Sequence, residues 1–309
     1  MELRKSILIT DKVHQLLVEE LDKDGFNVDY QPKLPLSETL KIVHNYCGLI
    51  VNSKTICDKK LIDLGANLKF IGRLGSGLEI IDLDYSAKNK IKILRTPEAN
   101  CEAVAEHALG MLLSLFNNFK ISDSQLKKLN WQREQNRGIE IRDKTIGIIG
   151  YGHTGPAFHE LLKPFGAEII IYDKFKPPFD DTSLLSQIKF KSDIISVHLP
   201  LTSETIGFVD YNFIQNCRNP FFLINTARGK NVIIKDLLKG LDEGKVLGAC
   251  LDVFENEKSH TYTKLEIDLY KDLHNRPNVI STPHVAGWTK ESLLRIAESM
   301  LAQIRGLKL

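Results

Sequence analysis

Short apolar runs alternate with amphipathic segments along almost the whole chain. Ser6-Ile7-Leu8-Ile9-Thr10 reads as a strand buried on both faces, and residues 12–21 carry Val13, Leu16, Leu17 and Leu21 at the spacing of one helical face. Cys47-Gly48-Leu49-Ile50-Val51 and Leu68-Lys69-Phe70-Ile71 predict two more strands, with a helix over 59–64 between them. Strands separated by helices of this size imply right-handed βαβ crossovers and a parallel sheet.

The rhythm breaks around Pro97. Residues 100–116 predict a long helix too apolar for one wet face, expected to pack between domains or across a dimer. Residues 117–142 are polar and charged around Trp131 and read as an exposed helix and loop. A second alternation starts at Thr145, with strands over 146–149, 168–172, 193–197, 221–224, 247–253 and 279–280, and a last helix over 291–307 after Gly287-Trp288. No solenoid-period repeat and no low-complexity tract interrupts it. The fold class is α/β, with two domains built on parallel sheets.

Length agrees, because 309 residues make about two domains at roughly 150 each. A hydrophobic fraction of 43% with 26% charged residues is globular, neither disordered nor membrane-spanning. Lys plus Arg number 41 against 39 Asp plus Glu, and a net charge of +2 gives no electrostatic reason to expect nucleic acid. The five cysteines (Cys47, Cys57, Cys101, Cys217, Cys250) are odd in number and scattered without C-x-x-C, which excludes the usual zinc spacing and argues against a disulfide framework. No metal site is expected. No signal-peptide core follows the first residues, and no run approaches the 18 or so apolar residues of a membrane span. The expectation is a soluble cytoplasmic protein with neither membrane nor nucleic acid as partner.

Gly150-Tyr151-Gly152-His153-Thr154-Gly155 follows an apolar strand and opens a helix-like segment, and Asp173 stands at the end of the next strand. Gly150 permits the tight turn, Gly152 lets backbone approach a pyrophosphate, and Gly155 brings helix and strand together. The helix N-terminus then faces the anion. A carboxylate at Asp173 accepts hydrogen bonds from a ribose 2′-hydroxyl and repels a 2′-phosphate, so NAD is favoured over NADP. Pro156 is tolerated in the first turn.

Three polar residues stand just past apolar strands, where open α/β sheets place their ligands: Arg228, Glu257 and His284. Spacing alone leaves each open. Arg228 fits an ion pair at a helix start, Glu257 a solvated loop acid, and His284 a satisfied structural histidine.

Several segments together decide between these readings. Residues 145–155, Asn225-Thr226-Ala227-Arg228-Gly229, residues 248–257 and Thr282-Pro283-His284-Val285-Ala286-Gly287 resemble the D-isomer-specific 2-hydroxyacid dehydrogenases, as do residues 100–107 and His198-Leu199-Pro200-Leu201-Thr202. The resemblance covers essentially the whole chain. Residues 72–77 and 51–55 look most like the short-form phosphoglycerate dehydrogenases, although that subgroup commonly has arginine at the position of Asn52 and Asp at that of Glu79.

The resemblance implies a hydride exchanged between NAD and the substrate's C2. Arg228 is then expected to hold the substrate carboxylate, His284 to exchange the proton, and Glu257 to orient and charge the imidazole. By the same carry-over, Asp252 lies at the nicotinamide end, and His153, Thr154, Thr226, Ala227, His198, Pro200 and Gly287 belong beside the cofactor. Of these, His153 is expected to offer backbone only, and the His198 imidazole, like that of His107, to serve packing and backbone bonding. His14, His44, His159, His260 and His274 are read as surface or local residues. Main-chain N–H groups of Gly75, Ser76 and Gly77 are expected to meet the substrate carboxylate, with Asn100 helping to position that loop. Asn52, Ser53, Lys54 and Arg73 complete the substrate set, and Lys54 and Arg73 supply positive charge for a phosphate.

The family fold implies a discontinuous substrate domain, 1–96 plus 287–309, an NAD-binding Rossmann domain over 97–286, and the active site in the cleft between them. Closure on hinges near Pro97 and Gly287, and a homodimer through the nucleotide domains, are part of the same expectation. Two alternatives accompany it: a reductase of hydroxypyruvate, glyoxylate or another 2-keto acid, and an NAD-sensing scaffold like the transcriptional co-repressors of this fold. Formate dehydrogenase replaces the acid partner of the histidine, and Glu257 argues against it.

Overall fold

The first alternation builds a five-stranded parallel sheet. It runs β1 (Ser6–Ile9), α1 (Gln15–Lys23), β2 (Asn27–Tyr30), α2 (Leu36–Ile42), β3 (Gly48–Val51), α3 (Lys59–Leu64), β4 (Phe70–Arg73), α4 (Leu83–Lys88) and β5 (Lys92–Arg95), with the strands ordered β2-β1-β3-β4-β5. The period of two sends Ile7 and Ile9 into one core and Leu8 into another on the opposite face, so β1 has to be apolar throughout. Helix starts are fixed by side chains: Asp58 accepts from the Leu61 N–H and Asp82 from that of Tyr85. The computed structural model describes residues 4–176 and 184–307. The first three and last two residues of the expected substrate domain, and 177–183 of the expected nucleotide domain, lie outside the described residues.

The second alternation opens with α5 (Cys101–Phe116) and α6 (Phe119–Leu126). It continues through β6 (Thr145–Ile149), α7 (Thr154–Leu162), β7 (Glu168–Tyr172), α8 (Leu185–Lys191), β8 (Ile194–Val197), α9 (Tyr211–Gln215), β9 (Phe221–Asn225), α10 (Ile234–Asp242), β10 (Val246–Leu251), α11 (Lys264–Asn275) and β11 (Val279–Ser281). Its six parallel strands are ordered β11-β10-β9-β8-β6-β7. The apolar character of α5 is accounted for inside this sheet's own core. Ala105, Ala108, Met111, Leu112, Leu115 and Phe116 pack with Ile146, Ile148, Phe158, Leu162 and Ile224, where the sequence pattern pointed to a domain or dimer interface.

The chain then returns to the first sheet through α12 (Lys290–Arg305), capped by Thr289. Ile296, Ala297, Met300, Leu301 and Ile304 enter the core of β1, β3 and β4. Arg305 reaches Asp24 at 2.7 Å and Glu20 at 2.9 Å at the end of α1. Two compact units result, 1–100 with 288–309 and 101–287. Counted from its own first strand, each sheet begins 2-1-3-4-5, a doubly wound order whose switch point lies beside that first strand.

Candidate active site

At the switch point of the second sheet, β6 ends in a turn that only glycine can make. Gly150 has a φ of +92°, and a β-carbon there would lie 2.6 Å from the His198 carbonyl oxygen at the end of β8. Gly155, in the first turn of α7, sits where a β-carbon would meet the Gly150 carbonyl at 2.4 Å, whereas the space above Gly152 is open. The unpaired N–H groups opening α7 and the positive end of its dipole serve that space. Asp173, one residue past β7, accepts from the backbone N–H of Tyr151 at 2.7 Å and of Phe175 at 2.9 Å, and each carboxylate oxygen can take a further donor. Lys176 lies over the Tyr151 ring and donates to its carbonyl.

Two polar atoms at the same strand ends are buried without a hydrogen-bond partner among the described residues, the Thr226 hydroxyl after β9 and Nδ1 of His198. Removal from water pushes the His198 imidazole down to about 4, so it is neutral, with Nε2 2.9 Å from the Ser196 hydroxyl. Buried groups left unpaired cost about 1–3 kcal/mol each, and a polar ligand would relieve that cost. The glycine turn, the helix start, Asp173 and these two atoms fit a dinucleotide. Thr154 starts α7, and His153 caps it with its side chain exposed. The Pro200 carbonyl is taken by the Thr205 hydroxyl at 2.6 Å. Gly287 is the last residue of the unit.

The loops after β9, β10 and β11 meet at the other candidate residues. Gly229 permits the first approach: a β-carbon there would fall 1.8 Å from the Phe254 carbonyl oxygen. Arg228 beside it directs one guanidinium nitrogen to the Ala227 carbonyl at 2.8 Å, and Asn225 bridges Ala227 and Arg228 from below. The loop bearing Glu257 is tied by Glu255, which accepts from Ile234 N–H at the start of α10, and by Tyr270, whose hydroxyl bonds the Asn256 backbone. Nδ1 of His284 then lies 2.7 Å from Oε2 of Glu257, with the two side chains 50% and 37% exposed. The hydrogen bond to Glu257 raises the imidazole above its ordinary value; burial and the Arg228 charge oppose the shift, and the charges of Glu257 and Asp252 add to it. For Glu257, burial works upward, but the bond and charge of His284, the Phe254 N–H and Arg228 outweigh it and hold the carboxyl low. With Nδ1 engaged by Glu257, Nε2 of His284 is the ring nitrogen left for another partner. A cavity of about 690 Å³ opens beside the pair, walled by Phe254, Tyr262, His274 and Ile280.

His284 itself has a φ of +55°, a left-handed conformation costing about 1–2 kcal/mol outside glycine. Its N–H donates to the Asp252 carbonyl at 2.7 Å. Asp252, expected at the nicotinamide end of a cofactor, uses its carboxylate on this same loop: Oδ1 accepts from the Thr282 hydroxyl at 2.5 Å and Val285 N–H at 2.9 Å, and Oδ2 from Ala286 N–H at 2.8 Å. Beneath Thr282, Nε2 of His107 lies 2.9 Å from the same hydroxyl. Sequence reasoning gave Thr282 no task of its own and His107 only packing and backbone bonds. No spacing signal marks His107, and Thr282 stands out only by preceding His284 by two.

The expected substrate residues belong to the first unit, near the strand ends of its own sheet. Asn52 N–H donates to Asp11 at 2.8 Å, Ser53 is exposed, and the Lys54 ammonium donates to the Pro32 carbonyl at 2.6 Å. Arg73 folds onto the Leu74 carbonyl. Gly75, at a φ of +126°, gives its N–H to the Thr96 hydroxyl at 3.0 Å, with Ser76 and Gly77 following. Asn100 closes the first pass of this unit. Lys54 and Arg73 thus each turn onto a carbonyl of their own surroundings.

Residues 109–286, more than half of the chain, match the D-isomer specific 2-hydroxyacid dehydrogenase, NAD binding domain. The chain belongs to this family. Its cofactor is NAD. A D-3-phosphoglycerate dehydrogenase of Archaeoglobus fulgidus is 30% identical over 97% of this chain and 58% of its own length. A hydroxypyruvate reductase of Thermotoga maritima is 33% identical over 88% of each. A D-lactate dehydrogenase of Aquifex aeolicus, solved with NAD and lactic acid, superposes with a TM-score of 0.84 at 28% identity, covering 98% of this chain and 95% of that one. The chain spans a little over half the length of the curated D-3-phosphoglycerate dehydrogenases it matches. Among the described residues no helix is long and apolar enough to cross a membrane.

Proposed function

We propose that the chain is an NAD-dependent oxidoreductase interconverting a D-2-hydroxy acid and its 2-keto acid, with 3-phosphoglycerate and 3-phosphohydroxypyruvate as the pair, the step that opens serine biosynthesis. The observation that carries the reading is the 2.7 Å contact between His284 and Glu257 in the unit that holds the dinucleotide cradle. The Gly150–Gly155 turn, the start of α7 and Asp173 would hold the dinucleotide, which when bound would supply the hydride chemistry at C2. In reduction, Nε2 of protonated His284 gives its proton to the oxygen that gains charge as C2 is reduced; in oxidation the neutral ring takes it back. Glu257 keeps Nδ1 protonated and the ring aimed. Arg228 grips the carboxylate and the neighbouring oxygen through its planar fork. In this reading unit 101–287 is the nucleotide domain and the other unit the substrate domain. Lys54 and Arg73 serve the phosphate, and the N–H groups of Ser76 and Gly77 the carboxylate, that of Gly75 being held by the Thr96 hydroxyl.

A second reading, reduction of hydroxypyruvate or glyoxylate, is favoured by Asn52 in place of arginine and by the Lys54 ammonium resting on Pro32. NADH oxidation with 3-phosphohydroxypyruvate, hydroxypyruvate and glyoxylate decides. A kcat/KM about 100-fold higher for the phosphorylated acid, roughly 2.7 kcal/mol of discrimination, is the expected result. Preference for an unphosphorylated acid moves the protein to the second reading. NADH binding without turnover on any of them leaves a non-catalytic, NAD-sensing role.

The reading includes a homodimer in the cytoplasm. Phe119, Leu126, Leu129 and Trp131 expose large apolar surfaces on one segment of the second unit, and the five cysteines are free thiols. Sedimentation at micromolar concentration should give twice the chain mass; a monomer would remove the dimer.

A further inference from the structure

Resting on that reading, we propose that His107 is a positioning residue for His284, acting through the Thr282 hydroxyl and the Asp252 carboxylate. Asp252 is 1% exposed, and three donors of the 282–286 loop converge on it. A buried carboxylate depends on such donors. Thr282 has one hydroxyl proton. At 2.5 Å from Asp252 that proton lies toward the carboxylate, so the hydroxyl's lone pair faces Nε2 of His107 at 2.9 Å, and Nε2 carries a proton. His107, two turns into α5, thereby fixes the rotor that completes the Asp252 clamp, and the clamp holds His284 at a φ of +55° with Nδ1 on Glu257. His107 itself reaches His284 only through Thr282 and Asp252. Its effect is to keep the proton donor within the few tenths of an ångström that proton transfer tolerates.

The test compares His107→Phe, which keeps a ring and loses the donor, with His107→Gln, whose amide restores a donor near Nε2. Steady-state kinetics with the preferred 2-keto acid, fluorescence titration of NADH, and hydrogen exchange of the amides of residues 284–286 are read side by side. His107→Phe should lower kcat about 10-fold while KM and the NADH Kd stay within about twofold. Exchange at 284–286 should accelerate at least about 10-fold with 145–149 unchanged. His107→Gln should recover both to within about threefold. Wild-type behaviour in His107→Phe overturns the proposal, and so does equal impairment in both variants, since the ring's bulk would then be what matters. If His107→Phe does not fold, His107→Leu replaces it: faster exchange at 284–286 that His107→Gln does not show supports the proposal, and wild-type exchange overturns it. Should the wild-type protein reduce none of the acids, the functional reading falls, while the exchange comparison still decides the role of His107.

Discussion

The two units start from the same winding and finish their loops differently. In the second, the loops after β9, β10 and β11 are tied to one another by side chains and by close backbone approach: Gly229 against Phe254, three loop donors on Asp252, and His284 on Glu257. In the first, the side chains at the strand ends turn onto local carbonyls, Lys54 onto Pro32 and Arg73 onto Leu74, and the distinctive feature is the backbone of a glycine loop at Gly75. Under the proposed function, the contrast matches two chemical demands. Proton exchange needs one atom aimed within a few tenths of an ångström, which takes a supporting shell. Holding an anion needs N–H groups and positive charge in roughly the right place, and long cationic side chains supply that by moving. Topology sets where a site lies, and the loops set what it does.

The contrast breaks if second-unit substitutions act only on binding, or if first-unit ones abolish turnover. His284→Ala should cost the most, about 10³-fold in kcat with NADH affinity within twofold by fluorescence; a kcat within tenfold of wild type would leave the aimed proton donor without support. Arg228→Lys should lower kcat/KM for the keto acid about 10²-fold, because an ammonium cannot reproduce the planar fork; a loss confined to fewer than five-fold would assign the carboxylate elsewhere. Gly229→Ala should lower urea-unfolding stability by about 1–3 kcal/mol and reduce activity, as the β-carbon displaces the Phe254 backbone; an unchanged midpoint would mean the two loops move apart freely. Lys54→Ala should have the smallest effect, raising KM for 3-phosphohydroxypyruvate about fivefold with hydroxypyruvate unchanged. An equal effect on both acids would detach Lys54 from the phosphate.

The turn at Gly150 and its neighbours are legible in the sequence because their geometry is written in residue types. The glycines at 150 and 155 answer to carbonyls 2.6 and 2.4 Å from where a β-carbon would stand, and Asp173 meets backbone donors at the end of a strand whose apolar run is plain. What the sequence concealed has physical reasons. β2 and β5 give no apolar run, since they are the edges of their sheet: β2 alternates Asn27 and Asp29 with Val28 and Tyr30, and β5 holds only Ile93 and Leu94 between Lys92 and Arg95. The helix over 101–116 reads as interface because apolar periodicity records that a face is buried and not by what. His107 and Thr282 are invisible for a related reason: their bond joins distant positions and depends on rotamers, which spacing does not encode. The same holds for Lys54, whose charge the sequence shows and whose direction it does not.

The central claim is that Glu257 holds His284 protonated for catalysis, and the pH dependence of kcat/KM for keto-acid reduction tests it most directly. His284 must carry its proton for this direction, and its pKa is raised above the ordinary imidazole value of about 6.5. The profile should therefore hold at low pH and fall as pH rises through a midpoint above 6.5. In Glu257→Gln the largest raising cause is gone, while burial and Arg228 still press downward against Asp252, so the midpoint should fall. An identical midpoint in both proteins would contradict the account.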